Sequence, residues 1–197
     1  MQILGQVSVQ INSLTLGYEG EVAVGQELNQ LLADGFRVYQ DFPAGRFNID
    51  HVVIGPTGVF AVETKARAKP DTGDGKRDAR VEHHRSELRF PDWVETGPIE
   101  QAQRQADHLS KWLASAVGEP IPVWAVVALP GWYVVTTKPS NVLVFNGKNY
   151  RSVFPKVSPV TRFDASLIQR IRHQVEQECR SIRPRAVRTI GDAVESK

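Results

Sequence analysis

The sequence predicts a single α/β domain, and three features predict it. Phe47 to Lys65 reads as two short apolar runs, rich in Val and Ile, joined by Gly55-Pro56-Thr57-Gly58. Two stretches, from about Tyr18 to Ala33 and from about Pro98 to Val117, carry apolar residues at helical spacing. Ile121 to Leu129 is a continuous apolar run bounded by Pro120, Pro122 and Pro130, as a buried strand would be. A chain of 197 residues is long enough for one real core and short for two large domains.

The N-terminal residues 1–16 alternate loosely at Val7, Val9 and Ile11 and predict an arm or a short strand. The first helix then carries Val24, Leu28, Leu31 and Leu32 inward and stops near Asp34-Gly35, where glycine suits a helix C-terminus. Glu21 falls within that apolar stripe, nearly in line with Leu28. A carboxylate there either serves a site or sits in a first turn where the helix dipole favours it and water reaches it. Phe36 to Phe42 is the next strand. It leads through Pro43-Ala44-Gly45 into the central hairpin.

Three charged residues interrupt the hairpin: Asp50, Glu63 and Lys65. If Ile54 faces Val59 across the turn, Asp50 lies opposite Glu63, and Lys65 shares the face of Glu63. Facing carboxylates in a buried sheet repel and are costly to desolvate. A divalent cation between them removes both problems, and Mg²⁺ favours one or two carboxylates, several waters and phosphate oxygens. Lys65 beside such a metal would hold or activate a water. The plainer alternative is a partly exposed hairpin edge at which Lys65 simply pairs with Glu63.

Residues 66–97 read as an insertion over the mouth of that site. Asp71 to Gly75 is turn-like, and Asp78 to Phe90 suggests a small hairpin. His83 and His84 are adjacent, so on a strand they point to opposite faces and chelate poorly together. Lys69, Lys76, Arg77, Arg80, Arg85 and Arg89 could face a phosphate backbone, but acids are interleaved as in an ordinary solvated loop. Helix two opens at Pro98 and buries Ile99, Ala102, Ala106, Leu109, Leu113 and Ala116. Gln101, Gln105, His108 and Trp112 form a shoulder beside that stripe. Gln101 and Gln105, one turn apart, are placed either to order a water, phosphate or base, or to flank the core as plain polar residues. Val142 to Phe145 is a last strand before the turn Asn146-Gly147, and Trp132 and Tyr133 are expected to cap the core. A helix follows over Asp164 to Arg180, with Leu167, Ile168, Ile171, Val175 and Cys179 inward.

Net charge is +2, so bulk charge does not mark a nucleic-acid binder. Its distribution says more. Residues 1–50 hold Glu19, Glu21, Glu27, Asp34, Asp41 and Asp50 against Arg37 and Arg46, whereas arginines crowd residues 162–188. An acidic metal pole and a basic tail suit a phosphodiester ligand, and a solvated C-terminal helix with a basic tail or linker over 183–197 suits the same residues. Cys179 is the sole cysteine, which excludes an intrachain disulfide and a cysteine-based zinc cluster and fits a reducing cytoplasm. No signal peptide, membrane-length apolar run, nucleotide loop or nucleophile triad is apparent.

Taken together, Gly17-Tyr-Glu-Gly20-Glu21, Ile49-Asp50-His51-Val-Val-Ile-Gly55-Pro56-Thr-Gly58-Val-Phe, Val62-Glu63-Thr-Lys65 and Gln101 resemble the NERD (nuclease-related) domain, a branch of the PD-(D/E)XK, restriction-endonuclease-like superfamily. The resemblance covers roughly residues 17–145, within a domain expected over 17–182. It implies a mixed central β-sheet flanked by helices. It implies metal ligation by Asp50, Glu63 and the backbone carbonyl of Thr64, with Glu21 supporting or binding metal. Lys65 would assist the nucleophilic water, and Gln101 matches the glutamine that follows the core strands.

The activity so implied is a Mg²⁺-dependent deoxyribonuclease, with Mn²⁺ a substitute, acting as an endonuclease or nickase that leaves a 5′-phosphate. DNA is the expected partner, and a homodimer would supply two sites for two strands. The alternative is a non-catalytic nucleic-acid-binding or assembly module on the same fold, or a purely structural domain. Some family members carry membrane segments. This chain shows none, so a freestanding cytoplasmic domain and one excised from a longer protein are both open. The segment between Lys65 and Gln101 exceeds a minimal core, and substrate preference is expected to lie there.

Overall fold

The computed structural model describes residues 2–70, 78–157 and 163–181, with side chains from residue 14 onward. The first helix, α1 (Gln2–Asn29), takes in the residues expected as an arm or strand, so that expectation is corrected: the N-terminal segment is helical. A 3₁₀ turn over Gln30–Asp34 ends it, and Gly35, at φ 83°, donates its N–H back to the carbonyls of Leu31 and Leu32. The tighter turn shifts Leu32 off the apolar stripe, and it is 45% exposed while Val24, Leu28 and Leu31 are buried.

Strands β1 (Arg37–Pro43), β2 (Asn48–Gly55) and β3 (Gly58–Thr64) form an antiparallel meander. Pro56-Thr57 makes the two-residue turn between β2 and β3, with Ile54 paired to Val59. The residues after β3 lead to β4 (Arg80–His84), β5 (Glu87–Arg89) and β6 (Val94–Glu95), and then to α2 (Gly97–Val117). β7 (Val123–Ala128) lies parallel to β3. β8 (Tyr133–Lys138) leaves for a second sheet, and β9 (Val142–Phe145) returns parallel to β7. α3 (Ala165–Ser181) closes the described chain.

The central sheet has the order β1-β2-β3-β7-β9, antiparallel on one side of β3 and parallel on the other. It is the mixed sheet the resemblance implies, consistent with a restriction-endonuclease-like core. β3 is buried along its whole length because helices cover both of its faces. On one face, Val52, Ile54, Val59 and Ala61 pack with Leu109 and Leu113 of α2 and Ile171 and Val175 of α3. On the other, Val53, Phe60 and Val62 pack with Val24 and Leu28 of α1.

The described part of the insertion forms strands rather than a solvated loop. β4 and β5 form the small hairpin expected, but β6 and the unforeseen β8 extend it into a second sheet, β6-β5-β4-β8. Trp132 caps the core as expected, buried against Phe90 and Trp93, whereas Tyr133 is 63% exposed at the start of β8. His83 is buried, with Nε2 near the Arg85 carbonyl and Ser140, and His84 turns to Thr137, so the two rings do separate. Arg80 and Arg89 pair with the interleaved acids Glu82 and Glu87. The turn expected at Asp71 to Gly75, together with Lys76 and Arg77, lies outside the described residues, as does the tail from 183.

Candidate active site

The acidic pair lies where the β2–β3 ladder ends. Pairing continues in the expected register from Gly55 with Gly58 to His51 with Val62, and the next step places Asp50 across from Glu63. There the side chain replaces the ladder: Asp50 Oδ2 accepts the Thr64 N–H at 2.7 Å. On the other flank, Asp41 stands across from Asp50 but drops out of the β1–β2 pairing, with φ at 52°. Aspartate tolerates this left-handed conformation better than most residues.

Glu63 is 3% exposed, and both of its oxygens are held. Lys65 Nζ is 2.5 Å from Oε1, and Gln105 Nε2 donates to Oε2 at 2.5 Å. The Lys65 backbone N–H donates to the Ala128 carbonyl, so the parallel β3–β7 pairing fixes the strand end that carries both charges. Asp50 has no such direct cation among the described residues. Burial, and then the charge of Glu63, push its carboxyl up to about 7, against the pull of the Thr64 N–H.

Glu21 reaches the same region from α1. Gly20 permits this: a Cβ there would stand 2.8 Å from the Ala66 Cβ. Only a bare helix backbone passes that close to the residue after Lys65. Burial raises the Glu21 carboxyl, and the charges of Asp41 and Glu63 add to the effect. His51, turned toward α1 beside Gly25, is 2% exposed, and burial lowers its ring to about 4, which favours the neutral imidazole.

Of the two glutamines on the α2 shoulder, it is Gln105 that reaches the strand ends. Gln101 lies nearer the start of α2 and only partly buried, and Gln105 makes the contact with Glu63. Sequence spacing could not separate the two, since both lie on one shoulder of the helix. Two other participants went unseen: Asp41, an acid among acids, and Glu95. Glu95 binds Arg67 through two bonds of 2.9 Å and accepts the Trp93 indole N–H at 2.8 Å. This clamp anchors the second sheet two residues beyond Lys65.

Among the described residues, no three His, Cys, Asp or Glu side chains gather closely enough to hold a metal ion by themselves. Asp50 and Glu63 form a pair, and Glu21 acts on them through charge. A hard-oxygen pair with free lone pairs on each carboxylate fits a cation that takes its other ligands from water and phosphate.

A mixed central sheet flanked by helices, with an acid pair and a lysine where β2 and β3 end their pairing, is consistent with a restriction-endonuclease-like α/β core. The chain belongs to the nuclease-related domain family, whose model matches residues 16–130. No curated protein and no solved structure matches it. Among the described residues, no helix is long and apolar enough to cross a membrane.

Proposed function

We propose that this chain is a Mg²⁺-dependent deoxyribonuclease that hydrolyses phosphodiester bonds as an endonuclease or nickase, leaving a 5′-phosphate. The observation that carries the reading is the arrangement at Glu63: a buried carboxylate gripped by Lys65 and Gln105, with Asp50 directly across the strand pair. Asp50, Glu63 and the Thr64 carbonyl would hold the metal, and Mn²⁺ would substitute for Mg²⁺. What Mg²⁺ supplies when bound is polarisation of the scissile phosphate and a water of lowered pKa.

The chain's own groups supply the rest. Lys65 is partly exposed, so its ammonium can reach from Glu63 to the attacking water and to the charge that builds on the phosphate. Gln105 fixes the Glu63 carboxylate plane, which keeps the acid pair in register while Lys65 moves. Glu21 adds negative charge behind the pair and favours a cation there.

Supercoiled plasmid incubated with Mg²⁺, Mn²⁺ or EDTA tests the reading, with wild type beside Asp50→Ala and Lys65→Ala. Cutting that needs metal and falls by orders of magnitude in both variants supports it, because such groups act as a unit. Wild-type cutting by Asp50→Ala sinks it. The non-catalytic binding module has less support. Of the C-terminal arginines it would use, Arg170 and Arg172 of α3 bond to Glu119 and to the Gly35 and Ile54 carbonyls, and Arg162, Arg183, Arg185 and Arg188 lie outside the described residues.

A further inference from the structure

The outer face of α2 carries a groove of which the proposed hydrolysis uses only Gln105. It encloses about 550 Å³, with Gln101, Arg104, Gln105, His108 and Lys111 along one side and Phe47 opposite. The five helix positions recur at helical spacing, so they form a continuous floor. Phe47 stands at the entry to β2, just ahead of Asp50.

Three features show what the groove is built to hold. First, it is continuous with the active site: Gln105 both lines it and donates to Glu63. Gln105 is 2% exposed, and its Oε1 has no hydrogen-bond partner among the described residues, so a buried acceptor waits at the inner end. Second, the groove has free positive charge. Lys111 has no ion pair among the described residues, and Arg104 has only an exposed contact with Glu100 at 3.7 Å. Against these two cations the lining holds one acid, Asp107, so positive charge is in excess. Third, Phe47 is 40% exposed, and its edge-on contact with His108, 5.2 Å between centroids, uses at most one face of the ring. Exposed aromatics beside cations are what unpaired bases stack on while their phosphates follow the charge. In an intact duplex the base faces are covered by neighbouring bases, and Phe47 would find none free.

We propose that this groove holds unpaired DNA flanking the scissile phosphate, with a base stacked on Phe47 and the backbone passing Arg104 and Lys111. The substrate class is then DNA with a single-stranded stretch, such as a flap or a gap, ahead of blunt duplex. This inference rests on the nuclease reading above.

The test is fluorescence anisotropy in EDTA with a labelled DNA strand and with a blunt duplex of the same sequence, followed by cleavage of flapped and blunt substrates in Mg²⁺. Phe47→Ala is expected to weaken binding of the strand by about tenfold while leaving the duplex unchanged. Phe47→Trp restores it, and Lys111→Ala flattens the salt dependence. Equal losses on both ligands, or no loss on either, overturn the proposal. So does Phe47-dependent binding of an RNA strand when the DNA strand does not bind. A protein that binds the strand through Phe47 but cuts nothing in any metal sinks the nuclease reading and leaves the groove as a strand-binding surface. A protein that cuts blunt and flapped DNA equally, with Phe47→Ala changing neither, sinks the groove and leaves the nuclease.

Discussion

Gln105 and Glu63 are 42 residues apart in the chain and 2.5 Å apart in space, amide to carboxylate, both buried. That contact joins α2 to the central strand at the point where the chemistry is proposed. Removing the amide leaves a buried carboxylate oxygen without its donor and frees the side chain to rotate. Gln105→Ala is expected to lower metal-dependent cleavage by about 10- to 100-fold, the usual scale for groups that orient a metal ligand. Gln101→Ala is expected to change it by about threefold at most. Steady-state cleavage of one plasmid substrate by both variants checks the contrast, and the reverse order would return the role to Gln101.

The crowding of Asp50 gives a pH signature in metal-free protein. Its carboxyl ionises at about 7 when folded, against an ordinary 3.8. The folded chain therefore keeps a proton that the unfolded chain has lost between about pH 4 and 7. Stability falls as pH rises through that window, by roughly 2–4 kcal/mol from this group. Asp50→Asn keeps an acceptor for the Thr64 N–H and removes the charge. In EDTA at pH 8 it is expected to melt several degrees above wild type, with the gap closing near pH 4. Added Mg²⁺ should raise Tm for wild type and not for the variant. Equal Mg²⁺ stabilisation of both proteins would remove Asp50 from the metal site.

The hairpin was legible because the turn residues between two apolar runs suggest one register, with Ile54 facing Val59, and Asp50 then opposes Glu63. α2, α3 and the second half of α1 were legible by periodicity, down to Leu109 and Leu113, whereas the first half of α1 was not, because its loose alternation at Val7, Val9 and Ile11 reads as a strand. The second sheet was not. β6 has two residues, and β8 mixes Val134 and Val135 with Thr136, Thr137 and Lys138, so neither shows a period that stands out. What orders them is non-local: β4 pairs in parallel with β8, and Arg67 clamps Glu95. Which of Gln101 and Gln105 contacts Glu63 was not legible for a related reason, since helical spacing gives the face but not the height at which a strand end meets it.

The Arg67–Glu95 clamp should couple the second sheet to the site. Glu95 is held below the usual carboxylate range, first by its hydrogen bonds from Arg67. Glu95→Gln keeps the size and the indole contact but loses the forked ion pair. Because both partners are partly exposed, a stability loss of only about 1 kcal/mol is expected. Cleavage should show a raised KM with kcat little changed, since Lys65 and Glu63 stay in place. A kcat loss as large as that of Lys65→Ala would instead make the clamp part of the chemistry.

Gly20 tests whether Glu21 matters by position or only by charge. Its missing side chain lets α1 pass the chain at Ala66, and an added Cβ would stand 2.8 Å from the Ala66 Cβ. Gly20→Ala must push the helix or the segment after Lys65 aside. Ordinary helix propensity favours alanine by about 1 kcal/mol, so a net loss of stability would show that the contact outweighs propensity. We expect that loss, about 1–3 kcal/mol in denaturant unfolding, together with a fall in cleavage of at least about tenfold, because Lys65 sits one residue from the contact. Gly17→Ala is the control: nothing lies within 4 Å of a Cβ there, so the same change on the same helix should stabilise and leave cleavage intact. If Gly20→Ala behaves like Gly17→Ala, α1 is free to adjust, and the close approach does not set the position of Glu21.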